Sequence, residues 1–236
     1  MLFAYSEYLD DGLLVFLVLF GSAVTALVTG IGFHEFCHAF TADRLGDNTA
    51  RLRGRVSLNP LRHLDPAGTA LMMIIGFGWG KPVPVDPRRL RHGPVTGRAI
   101  VAAAGPVSNF VIATLAAIPF HLDMLHFGVP LDVSSWGLSD YASLYLGTLI
   151  ILNVVLGTFN LLPIAPLDGF AVVLGLLPRN LARSAAQLEQ YGPPILMLLI
   201  ALPYLTGGQV SILRSVVVPV VNTVVDVLSG QPNAVG

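Results

Sequence analysis

Residues 12–45 read GLLVFLVLFGSAVTALVTGIGFHEFCHAFTADRL, and this stretch decides the fold. From Gly12 to Phe33 it carries no charge. A helix over residues 12–45 is about 50 Å long, against roughly 30 Å for the hydrocarbon core of a bilayer. It therefore emerges from the membrane, with Asp43 and Arg44 near that surface. His34 and His38 then lie roughly 10–17 Å inside that end. Their spacing puts both imidazoles on one helix face, where they can bind one zinc ion. Glu35 stands beside them and can take a proton from a water that such an ion activates. Ionisable groups at membrane depth are costly and mark function by default. The plain alternative, polar core residues bonded to each other, buries His, Glu and His in lipid to no purpose.

Composition agrees with a membrane setting. Of 236 residues, 54% are hydrophobic and 11% charged, with a mean hydropathy of +0.72. Soluble domains carry about 25% charged residues. The deficit falls in several long apolar runs, which points to a multi-spanning integral membrane protein. A net charge of −1 gives no basis for nucleic-acid binding. Cys37 is the sole cysteine, so no internal disulfide can form. No basic region precedes the first apolar segment, so a cleaved signal peptide is not expected. The length suits one membrane-embedded domain over 1–236, with a core at about 12–180 and apolar C-terminal segments at 193–229.

The expected architecture is an all-α bundle of about four to five transmembrane helices. A second span is expected at about 99–120 and a third at about 141–162. Arg44, Arg51, Arg53, Arg55 and Arg62 follow the first span, Arg88, Arg89, Arg91 and Arg98 precede the second, and Arg179 and Arg183 follow the third. This arginine excess places that side in the cytoplasm, and Glu7, Asp10 and Asp11 outside. Residues 66–85 lie between two positive clusters and are broken by Gly76, Gly78, Gly80, Pro82, Pro84 and Pro87. They read as a re-entrant or interfacial loop with extended strands around Lys81–Val85, offering an edge for β-addition by a peptide. The apolar runs 195–205 and 210–228 are left open between crossing, pairing and lying in the interface.

A catalytic zinc needs a third protein ligand and an open position. Asp168 is the leading candidate. It follows the third span, and Pro163 and Pro166 break the helix there, which can aim its carboxylate back toward the membrane. Its other reading is the N-cap of a short helix beginning at Gly169. Asn109 lies four residues after Gly105 on one helix face. It either donates to the substrate backbone or the developing oxyanion, or serves helix packing. Asn160 either braces the turn or hydrogen-bonds a zinc ligand.

The run Asn160-Leu161-Leu162-Pro163-Ile164-Ala165-Pro166-Leu167-Asp168-Gly169 resembles the second motif of the site-2 proteases, intramembrane zinc metalloproteases. Gly105-Pro106-Val107-Ser108-Asn109 resembles that family's G-x-x-x-N element, and His34–His38 its first motif. The resemblance covers about residues 12–180. It implies one zinc per chain held by His34, His38 and Asp168, with Glu35 catalytic. It also implies hydrolysis of transmembrane segments of other proteins in the bilayer, often after a first protease has trimmed the substrate. The setting implied is a multi-pass protein of a bacterial-type cell membrane, its site toward the cytoplasm. Many members have a helix before the first motif, which this chain does not show, and no PDZ or CBS domain is present; it resembles a minimal form.

Two rivals stand beside a protease, the first of them using the same ligands. A zinc transporter or sensor needs no Glu35 and needs a continuous polar path. A non-proteolytic homologue needs no intact Glu35 and histidine pair. His63, His92, His121 and His126 are expected to be solvated. Cys37 is expected to pack rather than ligate. Trp79 is expected at the interface or beside the substrate path.

Overall fold

The structure is a computed structural model that describes residues 12–75, 78–128 and 133–231. Its helices of eight residues or more are α1 (Leu13–Arg44), α2 (Pro66–Ile75), α3 (Pro94–His121), α4 (Leu138–Asn160), α5 (Asp168–Leu176), α6 (Arg179–Ala186), α7 (Gly192–Leu205) and α8 (Ile212–Ser229). Four of them, α1, α3, α4 and α8, are long and apolar enough to cross a bilayer. No strand forms among the described residues. This is a multi-pass membrane protein, and helices suit it because lipid offers no partner for unpaired backbone. The spans expected at 12–45, 99–120 and 141–162 correspond to α1, α3 and α4. Glu7, Asp10 and Asp11 lie outside the described residues.

Three helices make the central layer. His38 of α1 meets Val101 of α3, and His34 meets Asn109, so these helices run antiparallel. Asn109 in turn meets Asn153 of α4, and Pro106 lies against Gly157, so α3 and α4 are also antiparallel. α8 then covers the outer halves of α3 and α4. Val217, Val221 and Val225 form one face at four-residue spacing and pack on Ala113, Ala117, Phe120, Ile150 and Val154. The run left open at 195–205 becomes α7, whose 14 residues span about 21 Å and fall short of crossing. The run at 210–228 becomes α8.

The segment after α1 departs from its expected form. The chain leaves at Leu64 for α2 and returns at Gly80, where the two form one antiparallel bridge. Entry and exit are thus side by side, as expected of an excursion from one face. Met72 of α2 packs on Leu27 and Ile31 of α1. The limbs touch closely: a Cβ on Gly78 would lie 2.0 Å from the Gly68 carbonyl oxygen. The strands expected around Lys81–Val85 do not form. Pro82 and Pro84 have no N–H for a ladder, and pairing stops at the single bridge.

His63 corrects another expectation. Its arginine-rich neighbourhood reads as solvated, but the ring is fully buried. Its Nε2 lies 2.7 Å from the Ser57 carbonyl oxygen, and burial pushes its pKa below the ordinary value. A neutral ring is what such a site can hold. His92, His121 and His126 are exposed as expected.

Candidate metal centre

Helix α1 supplies the first two functional side chains. His34 and His38 stack one turn apart, with ring centroids 4.6 Å apart and planes nearly perpendicular. Both Nε2 atoms face the same atom, Oδ2 of Asp168, at 3.1 and 3.2 Å. Asp168 gets there because α4 stops at Asn160, and the chain turns through Pro163 and Pro166 before α5 begins. Asp168 is the first residue of α5 and its N-cap position belongs to Leu167, which sets the capping reading aside.

His34, His38 and Asp168 can each present one ligand atom, and these atoms lie within 4.8 Å of one another. Two further observations test whether a metal fits. Each imidazole has its far nitrogen engaged: Nδ1 of His38 lies 2.7 Å from the Val101 carbonyl oxygen, and Nδ1 of His34 lies 2.7 Å from Oδ1 of Asn109. With Nδ1–H donated to these oxygens, each Nε2 keeps its lone pair for a cation, as ligating histidines require. Space is also reserved. A Cβ on Gly105 would lie 2.4 Å from His38 Nε2 and 2.5 Å from His34 Nε2. Helix α3 thus offers bare backbone where a side chain would fill the ground in front of both nitrogens. The donor set of two imidazoles and one carboxylate suits zinc with an open position.

Asn109 lines the cavity described below and is held on three sides. Both hydrogens of its amide are taken, by the Gly30 carbonyl oxygen at 3.2 Å and by Oδ1 of Asn153 at 3.1 Å. The residue is fully buried behind His34. Asn160 donates to the Leu156 carbonyl oxygen at 2.9 Å, within its own helix, and its side chain borders the cavity described next. Cys37 is half-buried beside the metal group but is not part of it.

A cavity of about 870 Å³ opens on the three ligands and on Glu35. Its walls are mostly apolar, from Leu27, Ile31, Met72, Leu156 and Phe159, with Trp79 at one side and Leu196 and Met197 of α7 at another. Trp79 therefore borders the same space as the metal group. Gly80 runs close past Glu35: a Cβ there would be 3.3 Å from Oε1.

Sequence reading missed Arg55. It counted as one more positive charge on the cytoplasmic side. Its side chain is buried, and its guanidinium donates to the carbonyl oxygens of Lys81 and of Pro82, the latter at 3.0 Å. The same group lies 4.0 Å from Oε2 of Glu35. With Lys81 N–H also donated to the His63 carbonyl oxygen, the first residues of the returning limb are tied to the protein itself. No local pattern separates this arginine from its solvated neighbours.

The family model described as "Peptidase family M50" matches residues 22–202, which contain every residue of this centre. The chain belongs to peptidase family M50. This is the site-2 protease family of intramembrane zinc metalloproteases. Three bacterial relatives are named "Putative zinc metalloprotease". YwhC of Bacillus subtilis is 38% identical over 201 residues, covering 81% of this chain and 89% of the relative. Rip2 of Mycolicibacterium smegmatis is 34% identical over 176 residues, covering 73% of this chain and 63% of the relative. Rip2 of Mycobacterium tuberculosis H37Rv is 31% identical over 193 residues, covering 80% and 70%. No solved structure matches the chain significantly.

Proposed function

We propose that residues 1–236 act as one membrane-embedded protease domain, which holds a single zinc ion through His34, His38 and Asp168 and uses Glu35 as its general base. The substrates proposed are transmembrane segments of other membrane proteins, cut in or near the bilayer after another protease has shortened them. The observation that carries this reading is the convergence of two imidazole Nε2 atoms on one carboxylate oxygen, at 3.1 and 3.2 Å, beside a glycine that leaves the space open.

Bound there, zinc supplies a Lewis acid that activates a water and polarises the scissile carbonyl. The chain's own residues do the rest. Glu35 takes the proton of the attacking water and passes it to the leaving amine. Val101 and Asn109 hold the two imidazoles in the ligating tautomer through their oxygens. The apolar cavity walls accept the side chains of a lipid-soluble segment, while its backbone approaches the metal ligands and Glu35. A helical substrate hides its amides in its own hydrogen bonds, so it unwinds locally before cleavage. Val83 and Val85 of the returning limb line the same cavity and are proposed to contact the substrate there.

Arginine bias supports the cytoplasmic side of a bacterial-type cell membrane for the end of the bundle that carries α5. The test is cleavage of single-span substrates by purified protein, with zinc content measured alongside. Glu35→Gln is expected to keep zinc and lose cleavage by about 10²–10⁴-fold. Asp168→Ala is expected to lose zinc. Full cleavage by the Glu35→Gln protein refutes the mechanism.

A further inference from the structure

Helix α4 carries a second buried asparagine that no motif claims. Asn153 is fully buried, and its side chain points between α1 and α3. Its Nδ2 donates to the Leu149 carbonyl oxygen at 2.9 Å, on its own helix. That leaves Oδ1 as the end facing α3, where it accepts from Nδ2 of Asn109 at 3.1 Å. The same Nδ2 group gives its other hydrogen to the Gly30 carbonyl oxygen. Asn109 is therefore committed: two acceptors hold its NH₂ end, and only its oxygen is left for His34, at 2.7 Å.

The direction of this chain of bonds matters because an amide has two faces of nearly the same shape. With Oδ1 toward His34, the ring must donate from Nδ1, and Nε2 keeps its lone pair on the side of Asp168. Turned over, Asn109 would offer NH₂ to His34. The ring would then accept at Nδ1 and carry its proton on Nε2, where it cannot ligate a cation. The Gly30 carbonyl oxygen alone opposes that flip weakly, since only one neutral hydrogen bond is lost. A second acceptor, fixed by α4, makes the wrong orientation set the Asn109 oxygen against two acceptor oxygens. The network reaches across because α1 has no side chain at Gly30: a Cβ there would lie 2.9 Å from Asn153 Oδ1.

We propose that Asn153 is a positioning residue of the metal centre: it sets which way the Asn109 amide faces and so holds His34 in its ligating tautomer. This rests on the reading of His34 as a zinc ligand. Asn153 touches neither substrate nor metal. It acts through Asn109, across three helices.

The competing account is that Asn153 merely glues α3 to α4, as polar residues often do between membrane helices. Zinc affinity, measured by chelator competition on purified full-length protein, separates the two. Asn153→Leu is expected to weaken zinc about 10–100-fold. Asn153→Asp, neutral at this depth, presents the same acceptor to Asn109 and the same donor to Leu149, and is expected to restore most of the affinity. The decisive comparison uses Asn109→Leu, which removes the amide whose direction Asn153 would set. In that background Asn153→Leu should cost no further affinity. An equal loss in both backgrounds, or unchanged affinity in Asn153→Leu itself, overturns the proposal. If Asn153→Leu does not fold alone, an Asn153→Asp protein that binds zinc poorly overturns it as well. Failure of the ligand reading looks different: wild-type protein then binds no zinc, or His34→Ala binds it as well as wild type.

Discussion

Gly105 backs directly onto His38: a methyl group on Gly105 would lie 2.4 Å from the imidazole Nε2, well inside van der Waals contact. The position is on α3, and the ring is on α1, so neither helix can yield without breaking the packing around it. Gly105→Ala is therefore expected to displace both histidines or occupy the space before them. Zinc binding should fall to a small fraction of the wild-type level while the purified protein remains helical by circular dichroism. Normal zinc content in Gly105→Ala would show that this space is not the metal's.

Arg55 links the returning limb to Glu35, and its removal tests that link. Two backbone carbonyls lose their donor in Arg55→Gln, and each unsatisfied group costs about 1–3 kcal/mol. The limb is expected to loosen, raising KM for a membrane substrate by tenfold or more while zinc content stays the same. Arg55→Lys reaches one carbonyl at a time and should recover part of the loss. Unchanged KM in Arg55→Gln would mean that the limb does not help hold substrate.

The contrast between these sites explains what the sequence made legible. His34 and His38 were readable because a helix turns a four-residue spacing into a shared face whatever surrounds it. Asp168 was readable because prolines end α4 just before it, which freed the chain to turn back. Asn109 was readable as a polar residue facing the bundle, but the partners that fix its amide were not. Its direction depends on Gly30 and Asn153, brought close by packing among three helices that no local pattern encodes. Arg55 and His63 were misjudged for a related reason. A loop rich in arginine looks solvated, and burial of one arginine against Lys81 and Pro82 is a tertiary event. The prolines of residues 82–84 argued against strands as strongly as their extended character argued for them, and the backbone donors they remove decided the matter.

Asp47 gives a stability test outside the spans. It is fully buried, and its carboxylate accepts from the Thr49 backbone and hydroxyl and from the Asp86 backbone, the last at 2.6 Å. Burial alone would raise its pKa, but these donors outweigh it and hold the carboxyl below its ordinary 3.8. Asp47→Asn puts an NH₂ group against donors and is expected to cost about 1.5–3 kcal/mol. Because the folded pKa is the lower one, the carboxylate's contribution is complete above the unfolded value and fades as pH falls through the folded one. Thermal unfolding in detergent should therefore show a gap between wild type and Asp47→Asn near neutrality that narrows in acid. A gap constant down to about pH 3 would count against the ionised form as its source.

Helix α7 borders the cavity with Leu196 and Met197, yet within it only Gly192 and Leu196 are buried. Its other anchor lies just ahead of it in the chain. Glu189 receives both ends of the Arg98 guanidinium, at 2.5 and 3.2 Å, which ties the start of α7 to the N-terminal part of α3. Hydrogen bonding to Arg98 holds the Glu189 carboxyl below its ordinary value, so the tie persists at neutral pH and weakens only in acid. A short helix with so little burial depends on its ends, because it cannot span the bilayer and draws little from packing. Glu189→Gln keeps the shape but loses the charge and one acceptor. Hydrogen exchange across residues 192–205 is expected to quicken, with zinc affinity unchanged, because neither residue of the pair touches the metal group. Exchange as slow as in wild type would show that Gly192 and Leu196 hold α7 without the ion pair.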